Sequence, residues 1–150
     1  MRKYYLFIIK KEFYELYLKN IETLYFILEN IYYLNKNDFS FGFSIYEQLC
    51  EPFNKNVLMN YFNNKNKRYI KKFNNKFFIN DVYAGEKSCI QINKSCIVIK
   101  TKQNLPYALK IFKWYNNYIF VCDFENKDYF WLNNNKLRSK IKLYEYSYIY

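Results

Sequence analysis

The sequence contains no histidine, and this absence excludes more chemistry than any other feature of its composition. Histidine is the usual general base near neutral pH, the group that activates serine and cysteine nucleophiles, and the commonest zinc ligand. The four cysteines, Cys50, Cys89, Cys96 and Cys122, include no C-x-x-C pair. Thiols scattered through apolar runs are typical of small buried hydrophobic side chains, so we expect neither a zinc site nor a disulfide framework.

Glycine and proline are also scarce, with two of each in 150 residues, whereas 51% of the chain is hydrophobic and 24% is aromatic. This composition excludes collagen-like and linker-rich chains and argues against disorder, because so much ring surface gains from burial. The length suits one hydrophobic core, and we predict a single domain over 1–150.

Long hydrophobic runs are missing as well. No stretch reaches the ~18 uninterrupted apolar residues of a membrane span. The start of the sequence lacks the basic, apolar and small-residue segments of a signal peptide. We therefore expect a cytoplasmic protein with no membrane partner, since a reducing compartment also fits unpaired cysteines.

Acidic residues are outnumbered, with 13 Asp and Glu against 24 Lys and Arg, and the formal net charge is +11. Such a charge makes acidic partners electrostatically plausible. The dominant residues, Asn, Lys, Ile, Tyr and Phe, are encoded by AT-rich codons, so part of the charge can reflect genome composition. We interpret the basic tracts 63–68 (NNKNKR) and 71–76 (KKFNNK) as solvated loops or strand flanks.

The start of the chain predicts a buried strand followed by a long helix. Residues 3–10 (KYYLFIIK) form a compact run of aromatic and β-branched residues, which favours a strand. From Glu12 onward the apolar period changes to three and four residues, which is typical of a helix. One apolar stripe of this helix contains Phe13, Leu16, Tyr17, Ile21, Leu24, Ile27, Leu28 and Ile31, and a second contains Tyr14, Leu18, Tyr25 and Tyr32. Such a helix either lies between layers or presents an aromatic surface to a partner.

The remaining elements complete a domain of helices and strands. We predict a second helix with Asp38 or Ser40 as its N-cap, ending before Pro52. Later segments predict strand within 69–82, a hairpin of 88–92 with 95–100, a third helix capped by Asn104, a strand over 118–123, and an edge strand or loose tail over 141–150. The order strand, two helices, strands with a hairpin, helix, strand predicts an α/β or α+β fold in which helices flank a mixed sheet.

This order of elements is similar to that of the acetyltransferase fold, which binds its cofactor pyrophosphate at a glycine-rich loop before a helix. The two glycines here, Gly42 and Gly85, do not precede the third helix, and Pro106 in its first turn lacks a backbone N–H. We therefore expect no cofactor.

The carboxylates Asp123, Glu125 and Asp128 follow a predicted strand. A carboxylate pair can do acid–base work, but no nucleophile, metal site or phosphate loop accompanies these residues. We interpret them as a solvated turn, and we predict that the protein is not an enzyme.

A nucleic-acid-binding domain is an alternative, because Tyr and Phe interleaved with Lys can stack bases while the cations follow the backbone. The sequence has no clear RNA-recognition motif, KH loop or helix-turn-helix pattern. An antiparallel sheet with exposed tyrosines keeps this alternative open.

Motifs at both ends of the chain resemble those of the sporulation inhibitor of replication (SirA) family of Firmicutes. Residues 3–13 (KYYLFIIKKEF) are similar to the family's opening, where an aromatic strand runs through an I-K-x-E-F junction into the first helix. Residues 122–133 (CDFENKDYFWLN) resemble its closing D-F-x-x-x-x-Y-x-W-L-N segment, and 46–53 resemble the end of its second helix. The resemblance spans about residues 3–138 and leaves 141–150 as a divergent tail.

The resemblance implies a non-enzymatic regulator that binds domain I, the N-terminal domain, of the replication initiator DnaA and blocks initiation, typically on entry to sporulation. In that family the contact surface comes from the first two helices, and Phe13 and Tyr17 match its aromatic contact positions. A polar contact position on the second helix corresponds to Ile45, which would supply an apolar contact instead. Asn134 stands where the family usually has a proline.

Overall fold

The computed structural model describes residues 1–34, 39–64, 70–81 and 85–133, with the backbone alone for 39–43. The helices in this part of the chain are α1 (Lys11–Tyr17), α2 (Ile21–Leu34), α3 (Phe39–Leu49), α4 (Lys55–Asn64) and α5 (Tyr107–Lys110), the last continued by a 3₁₀ turn over Ile111–Trp114. The strands are β1 (Arg2–Ile9), β2 (Cys50–Glu51), β3 (Ile70–Phe73), β4 (Lys76–Asp81), β5 (Glu86–Ile92), β6 (Ile97–Thr101), β7 (Ile119–Asp123) and β8 (Asp128–Trp131).

All of these strands belong to one sheet. Its order is β3-β4-β5-β6-β1-β7-β8, and β2 pairs with the last two residues of β1. The predicted α+β class is confirmed. The pairings between the described strands are all antiparallel, where the sequence predicted a mixed sheet. The reason is that short connections join β3 to β4, β4 to β5, β5 to β6 and β7 to β8, which makes these neighbours antiparallel, and β1 lies between β6 and β7 and runs against both.

The two faces of the sheet carry separate cores, because side chains alternate along each strand. Tyr4, Leu6 and Ile8 of β1 point to the first face, where α4 and α5 pack. Phe7 and Ile9 point to the second face, where α2 and the end of α3 pack over β1, β7 and β8. Among the described elements, the helices of the second face therefore cover only the part of the sheet that contains β1, β7 and β8.

The single long helix predicted from Glu12 onward is wrong, because α1 and α2 are separate helices on either side of residues 18–20. Asn20 directly precedes α2, and its C=O accepts the N–H of Leu24 at 3.4 Å. Asparagine favours helix ends, since its side chain competes with the backbone for hydrogen bonds.

Several local predictions are confirmed. The first strand is β1, the predicted hairpin is β5 with β6, and the strand predicted over 118–123 is the fully buried β7. Gly85 interrupts the chain before β5 with φ +67°, a conformation that favours glycine. The segment 57–62, whose type the sequence does not decide, belongs to α4.

The helix caps were predicted less well. Asn104 does not cap α5, because this helix begins after Pro106 and has no side-chain cap. The Oδ1 of Asn104 instead accepts a hydrogen bond from Nη1 of Arg2 at 2.8 Å. Ser40 lies inside α3 and is not its N-cap. Asp38 and the tail 141–150 lie outside the described residues.

Asp123, the last residue of β7, and Asp128, the first of β8, are buried, which corrects their interpretation as part of a solvated turn; Glu125 between them is exposed. Asp123 is 0% and Asp128 is 1% exposed. Arg2 Nε donates to Asp123 Oδ2 at 3.0 Å, and Arg2 Nη2 donates to Asp128 Oδ2 at 3.2 Å. The guanidinium also lies over the Tyr4 ring, 4.9 Å from its centroid. This ion-paired cluster ties the start of β1 to the β7–β8 turn.

Candidate protein-binding surface

Helix α1 is held on the sheet by Tyr14. The Tyr14 ring centroid lies 4.7 Å from that of Trp131, edge to face, and 4.7 Å from that of Tyr118. The start of the helix is anchored by the backbone, since the Lys10 N–H donates to the Leu49 C=O at 3.0 Å. The side of α1 that carries Tyr14 therefore faces the sheet.

Three further apolar side chains of α1 lie around the helix from Tyr14, and only that of Leu16 points away from the sheet. On a helix with about 3.6 residues per turn, Phe13, Leu16 and Tyr17 fall within an arc of about 100°, with Leu16 opposite Tyr14. Leu16 is 57% exposed, whereas Phe13 and Tyr17 are half-buried and pack against the second-face core. The two predicted contact residues thus lie at the border between this core and solvent.

Helix α2 has a similar division. Its buried residues, Leu24, Tyr25, Leu28 and Ile31, form one stripe. Phe26 and Tyr33, two turns apart on the opposite side, are 57% and 50% exposed. We call Phe13, Leu16, Tyr17, Phe26 and Tyr33 the helix surface.

The second apolar stripe predicted from the sequence belongs to the core. The Tyr25 ring stacks on Tyr129 at 4.5 Å, and the Tyr32 ring stacks on Phe124 at 4.5 Å. Burial, together with a 2.7 Å hydrogen bond from its hydroxyl to Glu29 Oε2, raises the pKa of Tyr25. These tyrosines therefore pack in the core and do not form an aromatic surface for a partner.

Ile45, the third predicted contact residue, lies half-buried on α3. Helix α3 packs against α2, and α1 does so too. The structure thus places Phe13 and Tyr17 on one helix and Ile45 on a second helix that shares the same neighbour.

A cleft of about 630 Å³ lies beside the end of α3. Its walls include Tyr46, Cys50 and Pro52 on one side and Lys94 and Ser95 of the β5–β6 turn on the other. Ile45 does not line this cleft, although Tyr46, the next residue of α3, does.

The thiols near this cleft are held in the neutral form. Burial raises the pKa of Cys50 and of Cys122, and it raises the pKa of Cys96 to about 11. The thiolate is the nucleophilic form of cysteine. These cysteines therefore act as packing groups in the fold, as the sequence predicted.

The charge of the helical segment differs from that of the whole chain. Residues 11–34 contain four glutamates (Glu12, Glu15, Glu22 and Glu29) and two lysines (Lys11 and Lys19), while the chain carries +11. An apolar surface in a slightly acidic segment suits a protein partner and not a phosphate backbone.

Sequence reasoning missed Phe26 and Tyr33. They are seven residues apart and lie opposite the Leu24–Leu28 pair, so helical spacing contained the signal. The signal was hidden because α2 is apolar on several sides, and only the packing on the sheet decides which side is buried.

No helix in the described residues is both long and apolar enough to cross a membrane. No model of a known protein family matches the chain, and a search of curated proteins finds no significant match.

Proposed function

We propose that this protein binds another protein through the helix surface, and that its partner is domain I of the replication initiator DnaA. The observation that carries the proposal is the exposure of Leu16 on α1 and of Phe26 on α2, two helices in contact, together with the half-buried rings of Phe13 and Tyr17 on α1. Aromatic side chains that combine large area with few rotatable bonds are typical anchors of protein interfaces.

The identity of the partner rests on the resemblance of the motifs at residues 3–13 and 122–133 to the SirA family. The structure gives the second motif a structural role. Asp123 pairs with Arg2, Phe124 stacks on Tyr32, and Trp131 supports Tyr14 of α1. The closing motif thus positions the two helices that the opening motif begins.

The proposed mechanism is steric. Occupation of DnaA domain I covers a surface that the initiator needs for assembly or for contact with helper proteins, and replication initiation is inhibited. By the same resemblance, the inhibition takes place on entry to sporulation. No group has to react, so buried, neutral thiols and ion-paired carboxylates are compatible with this role.

The test is a titration of purified DnaA domain I with the protein and with single variants. We expect Phe13→Ala and Tyr17→Ala each to weaken binding by about 1–4 kcal/mol, as interface anchors do. Both rings also touch the core, so circular dichroism and urea unfolding must accompany each titration. Leu16→Ala removes a mainly exposed side chain and reports on binding with little effect on the fold.

The matched control is Trp114→Ala, which removes another large ring, 48% exposed, from the 3₁₀ turn on the other side of the sheet. It should leave the affinity for domain I unchanged. If folded Leu16→Ala, Phe13→Ala and Tyr17→Ala variants all bind as the parent does, the helix surface is not the interface.

A further inference from the structure

The second face of the sheet has a half that no described element covers. It is formed by β3, β4, β5 and the Lys100 end of β6, whereas Val98 on the same face of β6 is buried, and the helices of this face lie over β1, β7 and β8. Two phenylalanines point outward there, Phe73 at 68% and Phe78 at 41% exposure. A groove of about 510 Å³ runs along this half, with Phe78 and Cys89 in its floor. We call this half-face the open sheet face.

Lysines flank both rings in a regular pattern. Lys71 pairs with Phe78, Phe78 with Cys89, Cys89 with Lys100, and Lys100 with Lys3, so these five residues form one row across five strands. Paired residues in a sheet point to the same face. The row therefore places an exposed ring between cations on one surface.

A second row lies beside the first. Phe73 pairs with Lys76, and Lys76 pairs with Gln91. Phe73 and Phe78 are consequently diagonal neighbours on adjacent strands, at about 7–8 Å. Lys87 extends the basic pattern on the next row, opposite Asn80.

The lysines of the open sheet face form no salt bridge with any residue that the structure describes. In the described ranges, both salt bridges belong to Arg2 on the first face, and Lys71, Lys76, Lys87 and Lys100 are all exposed. Lys76 and Lys100 act electrostatically on the Cys89 thiol between them, although burial has the larger effect and raises its pKa. The acidic neighbours Asp81 and Glu86 alternate to the first face.

From this arrangement we propose that the open sheet face binds single-stranded nucleic acid. The exposed rings of Phe73 and Phe78 stack on successive bases, and the lysines around them neutralise the phosphates. Sheets that bind single strands combine a basic surface with such ring platforms, and stacking is independent of base identity. This activity is separate from the proposed binding of DnaA domain I. It uses the β3–β5 half of the second face, whereas the helix surface lies over the other half, and the two share no residue.

Charge complementarity disfavours two of the other simple occupants, and the exposed rings disfavour the third. A second copy of this chain would bring a further +11 to a lysine-rich surface. The segment 134–150 has four basic residues (Lys136, Arg138, Lys140 and Lys142) and one glutamate, so it matches the sign of the face. An acidic peptide matches the lysines but makes no use of two neighbouring exposed rings.

The test is fluorescence anisotropy with labelled oligothymidylate and oligouridylate of about 15 nucleotides, a length that covers one site. We expect binding to weaken with added salt, with a slope of log K against log salt of about −2 to −3 for three or four neutralised phosphates. The two oligonucleotides separate a preference for DNA from one for RNA. A duplex of equal length should bind more weakly, because its bases are not free to stack.

Two variants test the two parts of the site. Phe78→Ala should weaken binding about tenfold, the effect of one lost base stack. Replacing Lys76 and Lys100 together by Gln should reduce the salt slope by about 1.4, the share of two phosphates. Both changes are at exposed positions, and circular dichroism checks that the sheet is intact.

Matched controls remove the same groups elsewhere. Lys11→Gln with Lys19→Gln takes two exposed charges from α1 and its following turn, and Trp114→Ala takes an exposed ring from the other side of the sheet. Neither should change the slope or the affinity as the sheet variants do. Leu16→Ala should bind nucleic acid normally, so a failure of the proposed DnaA interaction is distinguishable from a failure here.

The proposal is overturned if the protein binds neither oligonucleotide at low salt, if Phe78→Ala binds as the parent does, or if both lysine pairs have equal effects. A polyglutamate competitor that displaces the oligonucleotide and whose own binding depends on Lys76 and Lys100 but not on Phe78 would assign the face to an acidic protein instead.

Discussion

Arg2 holds two buried carboxylates at once, and its removal is expected to be costly. In Arg2→Met, Asp123 and Asp128 stay buried without their cation, which we expect to lower the free energy of unfolding by about 3–5 kcal/mol. Urea unfolding measures this loss. Lys3→Met removes the same charge from the next residue, on the other face of β1, and serves as the matched control.

If Arg2→Met lowered the free energy of unfolding by less than about 1 kcal/mol, the two ion pairs of Arg2 would be no stronger than exposed salt bridges, and the expected cost of leaving both carboxylates buried would be wrong. The sequence did not predict the burial of Asp123 and Asp128. Their cation lies 121 and 126 positions earlier, and the local pattern of polar residues looks the same in a solvated turn.

Glu86 gives the fold a pH dependence. The side chain is 1% exposed, and burial raises its pKa, although the N–H groups of Tyr107 and Ala108 favour the charged form. A carboxyl whose pKa is higher in the folded state contributes stability that is fully present below the unfolded pKa of about 4.3. That contribution is lost as the pH rises through the folded pKa.

The glutamine of Glu86→Gln is neutral at every pH, so the stability of this variant should not fall as the pH rises through the folded pKa of Glu86. We expect the melting temperature of the variant, relative to the parent, to rise between pH 4 and pH 7 when both are measured by circular dichroism. Glu15→Gln removes an exposed carboxylate of α1 and should give a difference that varies less with pH. A constant offset for Glu86→Gln would show that Glu86 titrates alike in the folded and unfolded chain.

At the scale of single elements, the β3–β4 hairpin depends on one backbone conformation. Asn74 has φ +56°, in the left-handed region, which asparagine and glycine tolerate best. Asn74→Gly should leave the free energy of unfolding nearly unchanged, whereas Asn74→Val should lower it by about 1–2 kcal/mol. Urea unfolding again measures the effect.

Asn75→Val is the control, because Asn75 has no positive φ. Equal losses for Val at both positions would mean that the turn residue matters through its side chain and not through its backbone. This hairpin also positions Phe73 and Lys76, so its integrity bears on the open sheet face.

Strands with compact apolar runs were predictable, and the break between α1 and α2 was not. β1 and the β5–β6 hairpin have compact runs of β-branched residues that few other structures accommodate. Across 18–20 the apolar spacing continues, since Leu18 and Ile21 fit either one helix or two. The two helices are distinguished only by their contacts, since Tyr14 of α1 packs on Trp131 and Tyr25 of α2 packs on Tyr129 of the same strand.

At the scale of the whole molecule, the open sheet face follows from strand order. From the sequence, the tract 71–76 is interpreted as a solvated loop or strand flank, and its lysines are exposed in the structure. Their alignment with Phe78 and Lys100 appears only when β4, β5 and β6 are placed side by side. Strand order between distant segments is not encoded in local periodicity, so this part of the molecule could not be predicted.

The same organisation separates two surfaces of different chemistry. The helix surface is apolar and lies in a segment with more acidic than basic residues, and the open sheet face is basic with exposed rings. A protein partner and a nucleic acid therefore have different places to bind, and neither has to displace the other.

The most direct test of the central claim is a nuclear magnetic resonance titration of the ¹⁵N-labelled protein with unlabelled DnaA domain I. The account predicts saturable shifts of amide signals from Phe13, Leu16 and Tyr17 of α1 and from Phe26 of α2, with β3 and β4 unaffected. It would be contradicted if domain I produced no shifts, or if the shifts were confined to β3 and β4 while α1 and α2 stayed unchanged.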